Sequence, residues 1–305
     1  MIRALTLAAA LLCGTALTVS ALAEPKIAIS FDDLPVHGVL PAGLSRTDIA
    51  QQIIDALKAG AIPPTYGLVN GVGIEREPSS AAVLEMWRAS GNLLGNHTWT
   101  HPGLSKTDLA TYEADFLKSE PLLEKYAAGS DWHWFRYPFV DEGKDEAQRA
   151  EFRSFLAAHG YKIAHVTVTV DDWDYPEPYA RCLAKHDAAA LAKLEMIYLQ
   201  RAAEGANYSR ALSAQALGHE VPYILLLHVG SFQAHMMPKL IALYKAMGFS
   251  FVSLEEATAD PFYKAYADPS LPAPPRSMEN ILWAKGQQPP ASPDNHSAEL
   301  QAMCK

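Results

Sequence analysis

The chain has 305 residues, 49% apolar and 19% charged, so it can bury a core and is excluded from the disordered class. Its 18 Gly and 21 Pro are close to average usage, which excludes collagen-like and low-complexity classes. Lys and Arg number 25 against 34 Asp and Glu, a formal charge of −9, and no Lys/Arg run occurs; no nucleic-acid partner is expected.

Met1-Ile2-Arg3 is a short positive leader to the apolar run 4–17, and Ala21-Leu22-Ala23 offers the small-x-small pattern of a signal-peptidase site. Residues 1–23 are therefore expected to be a signal peptide cleaved after Ala23, delivering the chain to a periplasm or the medium. The run is too short for a spanning helix and no later segment supplies eighteen apolar residues, so no stable membrane span is expected after cleavage. Cleavage removes Cys13 and leaves Cys182 and Cys304, which an oxidising compartment would pair or leave as free thiols. No CxxC occurs, so a thiolate zinc site has no support.

From Lys26 onward, strand-like and helix-like segments alternate. Residues 27–31 read as a buried strand. Ser45 to Asp48 has the capping-box pattern, with Ile49, Ile53, Ile54 and Leu57 at helical spacing up to Gly60. Residues 66–69 are strand-like, 79–89 helical with Gly91 as the stop, and 93–95 strand-like again. A second capping box, Ser105 to Asp108, is expected to open a helix running to about Ala127. Trp134-Phe135 leads into Arg136, and 147–159 reads helical. Residues 163–170 read as one β-branched strand and 221–229 as the most apolar strand of all. A helix over 238–247 and a strand over 249–254 follow.

This alternation predicts an α/β class with a parallel sheet, as either a barrel or an open doubly wound sheet. Residues 175–218 interrupt it with two helices and no strand between them, an insertion near the functional face. Beyond Asp268 the chain turns Pro- and Ser-rich, a surface-draped or partly disordered tail. The expected organisation is a signal peptide over 1–23, one α/β domain over 24–268 and a tail over 269–305.

Strand C-termini form the ligand face of parallel α/β folds, and polar clusters stand at several of them. Asp32 and Asp33 follow the first strand; a cation would relieve their repulsion, whereas the plainer reading is a turn-capping pair. His97 and His101 have a spacing that lets two imidazoles converge on one metal, or they are ordinary hydrogen-bonded histidines. Arg136 lies between aromatics, suited to holding a carboxylate ionised or simply stacked on a ring. His228 ends the most buried strand, as a general acid tuned by a carboxylate or as a satisfied core residue. The string Asp171-Asp172-Trp173-Asp174 offers that carboxylate.

Taken in order, the SFDD, HTWTH, RYPF, DDW and LLLH segments resemble the polysaccharide deacetylase family, also called carbohydrate esterase family four, over roughly residues 26–254. The resemblance implies a distorted (β/α) barrel of about seven parallel strands; in this chain the helical insertion falls before the last motif strand. It also implies a divalent metal, zinc first and cobalt as an alternative, and hydrolysis of N- or O-acetyl groups on an acetylated glycan. Carried over by position, Asp32 is the general base and Asp33, His97 and His101 the metal ligands. Arg136 pairs with the base and His228 is the general acid, oriented by Asp172 with Asp174 as the register alternative. Phe139, Trp173 and Leu225 are expected at the substrate, Trp173 and Leu225 as the apolar wall for the acetyl methyl. Ser30 departs from a commoner Thr, a conservative change, and Phe139 from a commoner Tyr, whose hydroxyl matters little if the backbone N–H there serves the oxyanion; the insertion and the tail bear on the substrate more than on the chemistry.

Other readings stay open at this point. A non-haem iron oxygenase also uses an Asp-His-His face, but usually with a tight His-x-Asp/Glu pair that this chain lacks. A catalytically silent carbohydrate-binding protein would use Trp132, Trp134 and Trp173 as sugar platforms. A hydrolase on the same fold would open a non-sugar C–N amide.

Overall fold

The computed structural model describes residues 24–305; the expected signal peptide at 1–23 lies outside the described residues. Eight strands form one sheet: β1 (Lys26–His37), β2 (Tyr66–Val69), β3 (Leu93–Asn96), β4 (Trp134–Phe135), β5 (Lys162–Ile163), β6 (Val168–Thr169), β7 (Tyr223–Gly230) and β8 (Ser250–Val252). Every pairing is parallel, and seven strands run in the order β5-β4-β3-β2-β1-β7-β6. The eighth, β8, pairs with β1 over Lys26–Ala28, before β2 takes over from Ser30. With β7 on one edge of β1 throughout this stretch, β8 and β2 share the other edge in succession.

The sheet must curl. Laid flat at the usual spacing, seven strands would be about 29 Å across. Its two edge strands, β5 and β6, are joined by residues 164–167 alone, a link reaching at most about 18 Å. The result is a curled half-barrel of parallel strands with helices outside it, as the family resemblance implies, and not the open doubly wound sheet.

Side-chain alternation then decides what lies inside. On β1, Ile27, Ile29 and Phe31 join the large core beneath the helices, as do Tyr223, Leu225 and Leu227 on β7. Ala28 and Ile224 face the other way, into the barrel floor with Tyr66, Leu68, Val252 and Tyr263. Asp32 and His228 have the interior parity too, at the C-terminal ends of their strands. The most apolar strand, β7, is buried along its whole length because both its faces are covered.

Several local expectations need correction. The helix expected from Ser105 begins at Leu109 with Asp108 as its cap, because the Asp108 side chain accepts from Thr111 N–H while Ser105 bonds Asp141. It ends at Leu117, and Glu120–Tyr126 is a second helix with Pro121 in its first turn, where the missing N–H costs nothing. The single strand expected over 163–170 is two, at opposite sheet edges, because residues 164–167 cross between them. The helix expected from Pro238 starts at Ser231 and carries Pro238 inside it. There burial of Met236, Met237, Leu240 and Ile241 outweighs the lost backbone bond.

The insertion between β6 and β7 is two helices, Pro176–Ala184 and Ala188–Leu217. The tail lies against it. Met278 and Leu282 pack on Leu212 and Ala216, and a disulfide joins Cys304 to Cys182, Cα atoms 5.2 Å apart. Among the described residues, no helix is long and apolar enough to cross a membrane.

Candidate active site

The strand ends enclose a cavity of about 360 Å³, lined by Asp32, Asp33, His37, His97, His101, Phe139, Val140, Thr169, Trp173, Leu226 and His228. Of the ten residues singled out from the sequence, seven border it; Arg136 and Asp172 stand directly behind Asp32 and His228.

Asp33, His97 and His101 converge. Asp33 Oδ1 lies 3.6 Å from His97 Nε2 and 3.5 Å from His101 Nε2. That oxygen is buried and has no hydrogen-bond partner, although an orphaned carboxylate oxygen is costly. Ligands held about 2.0–2.1 Å from a tetrahedral ion are about 3.4 Å apart, so a divalent metal fits between these three atoms. His97 donates Nδ1–H to the Arg136 carbonyl at 2.8 Å, which turns its Nε2 lone pair inward. Burial, then the His97 charge, pushes His101 down to about 4, leaving the neutral imidazole that metal binding needs. Burial raises Asp33, but the His37 hydrogen bond and the charges of His228, His97 and His101 outweigh it and hold the carboxyl far below its usual range.

The histidine pair is not helical. Pro102 bars a helix at His101, and the 97–101 loop is held from outside. Asp115 Oδ2 accepts from Trp99 and Thr100 N–H at 2.9 and 3.0 Å, and Asn70 Nδ2 donates to the His97 carbonyl. Trp99 lies over Gly71, where a Cβ would sit 2.0 Å from the ring, so only glycine fits. Asp33, Thr98, His101 and Phe139 all adopt left-handed φ between 59° and 65°. Such conformations cost about 1–3 kcal/mol each and persist where the surroundings enforce them, typically at functional sites.

Asp32 is buried and faces Arg136, whose Nη1 donates to Oδ1 at 3.1 Å. The rest of the guanidinium is committed: Nη2 to Ser30 Oγ at 2.8 Å and Nε to the Ala164 carbonyl. Asp32 Oδ2 is 3.6 Å from His97 Nε2, so this carboxylate borders the metal position. Opposite, Asp172 grips His228 twice, accepting the backbone N–H at 2.7 Å and Nδ1–H at 2.8 Å. The partner is therefore Asp172 and not Asp174. Burial lowers His228, but Asp172's charge and hydrogen bond, then Asp33 and Asp32, lift it to about 9, so it carries a proton at neutral pH.

Phe139 is 71% exposed and packs edge-on against His101, while Trp173 stands at the rim beside His228. Leu225 is corrected: strand alternation sends it into the core under the helices, and Leu226 lines the cavity instead. Trp134 is buried in the barrel floor and Trp132 stacks on His133, so neither is a platform at this cavity. Sequence reasoning missed His37, Val140 and Thr169. His37 had a signal, a histidine four places beyond Asp33, but the first strand was taken to end before it.

Residues 20–164 match the family model described as polysaccharide deacetylase. A peptidoglycan-N-acetylglucosamine deacetylase of Bacillus cereus is 25% identical over 150 residues, 49% of this chain and 47% of the relative; the match thus spans about half of that protein. Among solved structures, a CE4 family pseudoenzyme from Bacillus anthracis aligns with TM-score 0.51 and 16% identity, covering 78% of this chain and 66% of that one. A mutant of it with restored enzymatic activity gives 0.52 at 18%, covering 78% and 68%. A peptidoglycan N-acetylglucosamine deacetylase gives 0.50 at 19%, covering 78% and 89%. These structural likenesses concern the fold, and they agree with the curled parallel half-barrel.

Proposed function

Because residues 20–164 match the polysaccharide deacetylase family model, we propose that this chain is a metal-dependent hydrolase removing acetyl groups, N-acetyl above all, from a carbohydrate. The observation that carries this reading is the orphaned Asp33 Oδ1 between two imidazole nitrogens, flanked by the Asp32–Arg136 and His228–Asp172 pairs. Asp33, His97 and His101 would hold the ion, zinc or cobalt. Bound there, it would supply Lewis acidity to a water and to the acetyl carbonyl.

The rest falls to the chain's own residues. Asp32 takes the proton of the attacking water, with Arg136 as its counter-charge and Ser30 fixing the guanidinium. The backbone N–H of Phe139 is the donor we assign to the developing oxyanion. His228, protonated and oriented by Asp172, gives its proton to the leaving amine, so that acetate departs. Leu226 and Trp173 form the apolar wall for the acetyl methyl.

We place this activity outside the cytoplasm, with residues 1–23 as the signal peptide, 24–268 as the catalytic domain and 269–305 as the tail. The Cys182–Cys304 disulfide supports an oxidising compartment.

Two variants test the assignment of roles. Asp32→Asn is expected to keep its metal and lose at least about 100-fold in kcat, the scale of general-base catalysis. His97→Ala is expected to lose metal and turnover together. Near-normal turnover in the first, or tight zinc in the second, would overturn the scheme.

A further inference from the structure

His37 has no part in that scheme, yet the fold delivers it to the site by an unusual route. On β1, Asp32 is in register with His228, and the next partnered residue is His37, opposite Gly230. Residues 33–36 therefore bulge out against a single residue of β7, and Asp33 takes its left-handed φ at the start of the bulge. The detour returns the His37 ring to the carboxylate it has just passed. Its Nδ1 is 2.7 Å from Asp33 Oδ2, and since an ionised carboxylate only accepts, Nδ1–H donates. The ring is seated by His228, centroids 4.5 Å apart, with Nε2 3.5 Å from the Trp173 carbonyl.

The two oxygens of Asp33 are thus divided: Oδ2 is held by His37, while Oδ1 has no partner and faces His97 and His101. We propose that His37 is a positioning residue that fixes Asp33 as a one-oxygen metal ligand. Without the hydrogen bond, the carboxylate would be free to turn about its Cβ–Cγ bond, offering both oxygens or neither. Held as it is, it occupies one position on the ion and leaves the others to water and substrate. This inference rests on the reading of Asp33, His97 and His101 as a metal site. The same residues offer a competing arrangement: ligand atoms of Asp33, His37 and His228 lie within 4.8 Å of one another, which would make His37 itself a ligand to a second ion.

Zinc stoichiometry and affinity, the latter by competition with a chromophoric chelator, separate these cases in wild type, His37→Ala and His37→Asn. Thermal melts followed by circular dichroism confirm that each variant folds. The expected result is one zinc per chain, an affinity loss of about 10–100-fold in His37→Ala, as for other partners of metal ligands, and recovery of most of it in His37→Asn, whose amide also donates. A His37→Ala protein that holds zinc as tightly as wild type overturns the proposal. So does an Asn variant as weak as the Ala variant, or two zinc ions in wild type against one in His37→Ala. Wild type that binds no zinc overturns the metal-site reading and this inference with it, an outcome visible before any variant is compared.

Discussion

Asp32 and His228 are register partners on adjacent parallel strands, and the two-residue alternation turns both toward the interior of the curled sheet. The same parity separates Leu225 from Leu226. Leu225→Ala is expected to cost about 2–5 kcal/mol of stability, as for other buried leucines, with KM little changed. Leu226→Ala should instead raise KM for the acetylated substrate. Urea unfolding and steady-state kinetics on the pair check both; the reverse pattern would mean that β7 is turned the other way.

Arg136, just past β4, ties β1, through Asp32 and Ser30, to the link after β5, through the Ala164 carbonyl. Removing one partner of a buried ion pair strands the other charge, at a cost of about 3–5 kcal/mol. Arg136→Ala is expected to lose that much by urea unfolding. Arg136→Lys should recover little, because a single ammonium cannot reproduce the planar fork. In a double-mutant cycle, Asp32→Asn should cost less stability in the absence of Arg136 than in its presence.

The candidate site was legible because its residues sit in short strings near strand ends: Asp32, Asp33, His97, His101, Arg136, Asp172 and His228 are brought together by the fold. The parallel α/β architecture was legible from the alternation of elements. What the string hid needs tertiary knowledge. Leu225 and Leu226 are chemically the same, and only pairing with β1 fixes which faces the cavity. His37 was hidden by a bulge that no local propensity announces. Residues 163–170 read as one β-branched run because nothing in their composition marks the crossing from one sheet edge to the other. Asp115, which pins the 97–101 loop, lies on a helix whose bounds were misplaced.

Away from the site, His165 gives a pH signature. Burial first, then the charges of Arg136, Arg149 and Arg153, push it down to about 3. Between pH 6.5 and 3 the unfolded chain therefore binds a proton here that the folded one refuses. Stability falls as pH drops through this window, by at most about 1.4 kcal/mol per pH unit from this group. Comparing pH 6.5 with pH 5 avoids most carboxylate titration. His165→Phe, packed on Tyr266 as the imidazole is, should flatten the dependence; an unchanged slope would contradict the assignment.

The disulfide spans 122 positions of sequence, and Arg181 beside it binds the carbonyls of Leu300, Gln301 and Met303. Replacing Cys182 and Cys304 together by Ser is expected to cost about 2–4 kcal/mol. Neither cysteine borders the cavity, so kcat should stay near that of wild type. Urea unfolding and kinetics of the double variant test this. A loss of turnover without loss of stability would contradict it.

Metal-dependent deacetylation stands or falls on acetate release. The measurement is made on zinc-reconstituted protein with N-acetylated chitin oligomers, peptidoglycan fragments and acetyl-xylan, each with and without a chelator. The account predicts release from an N-acetylated substrate, abolished by the chelator, restored by zinc and absent from Asp32→Asn. Release that survives the chelator, or none from any of these substrates by protein shown to hold its zinc, would contradict it.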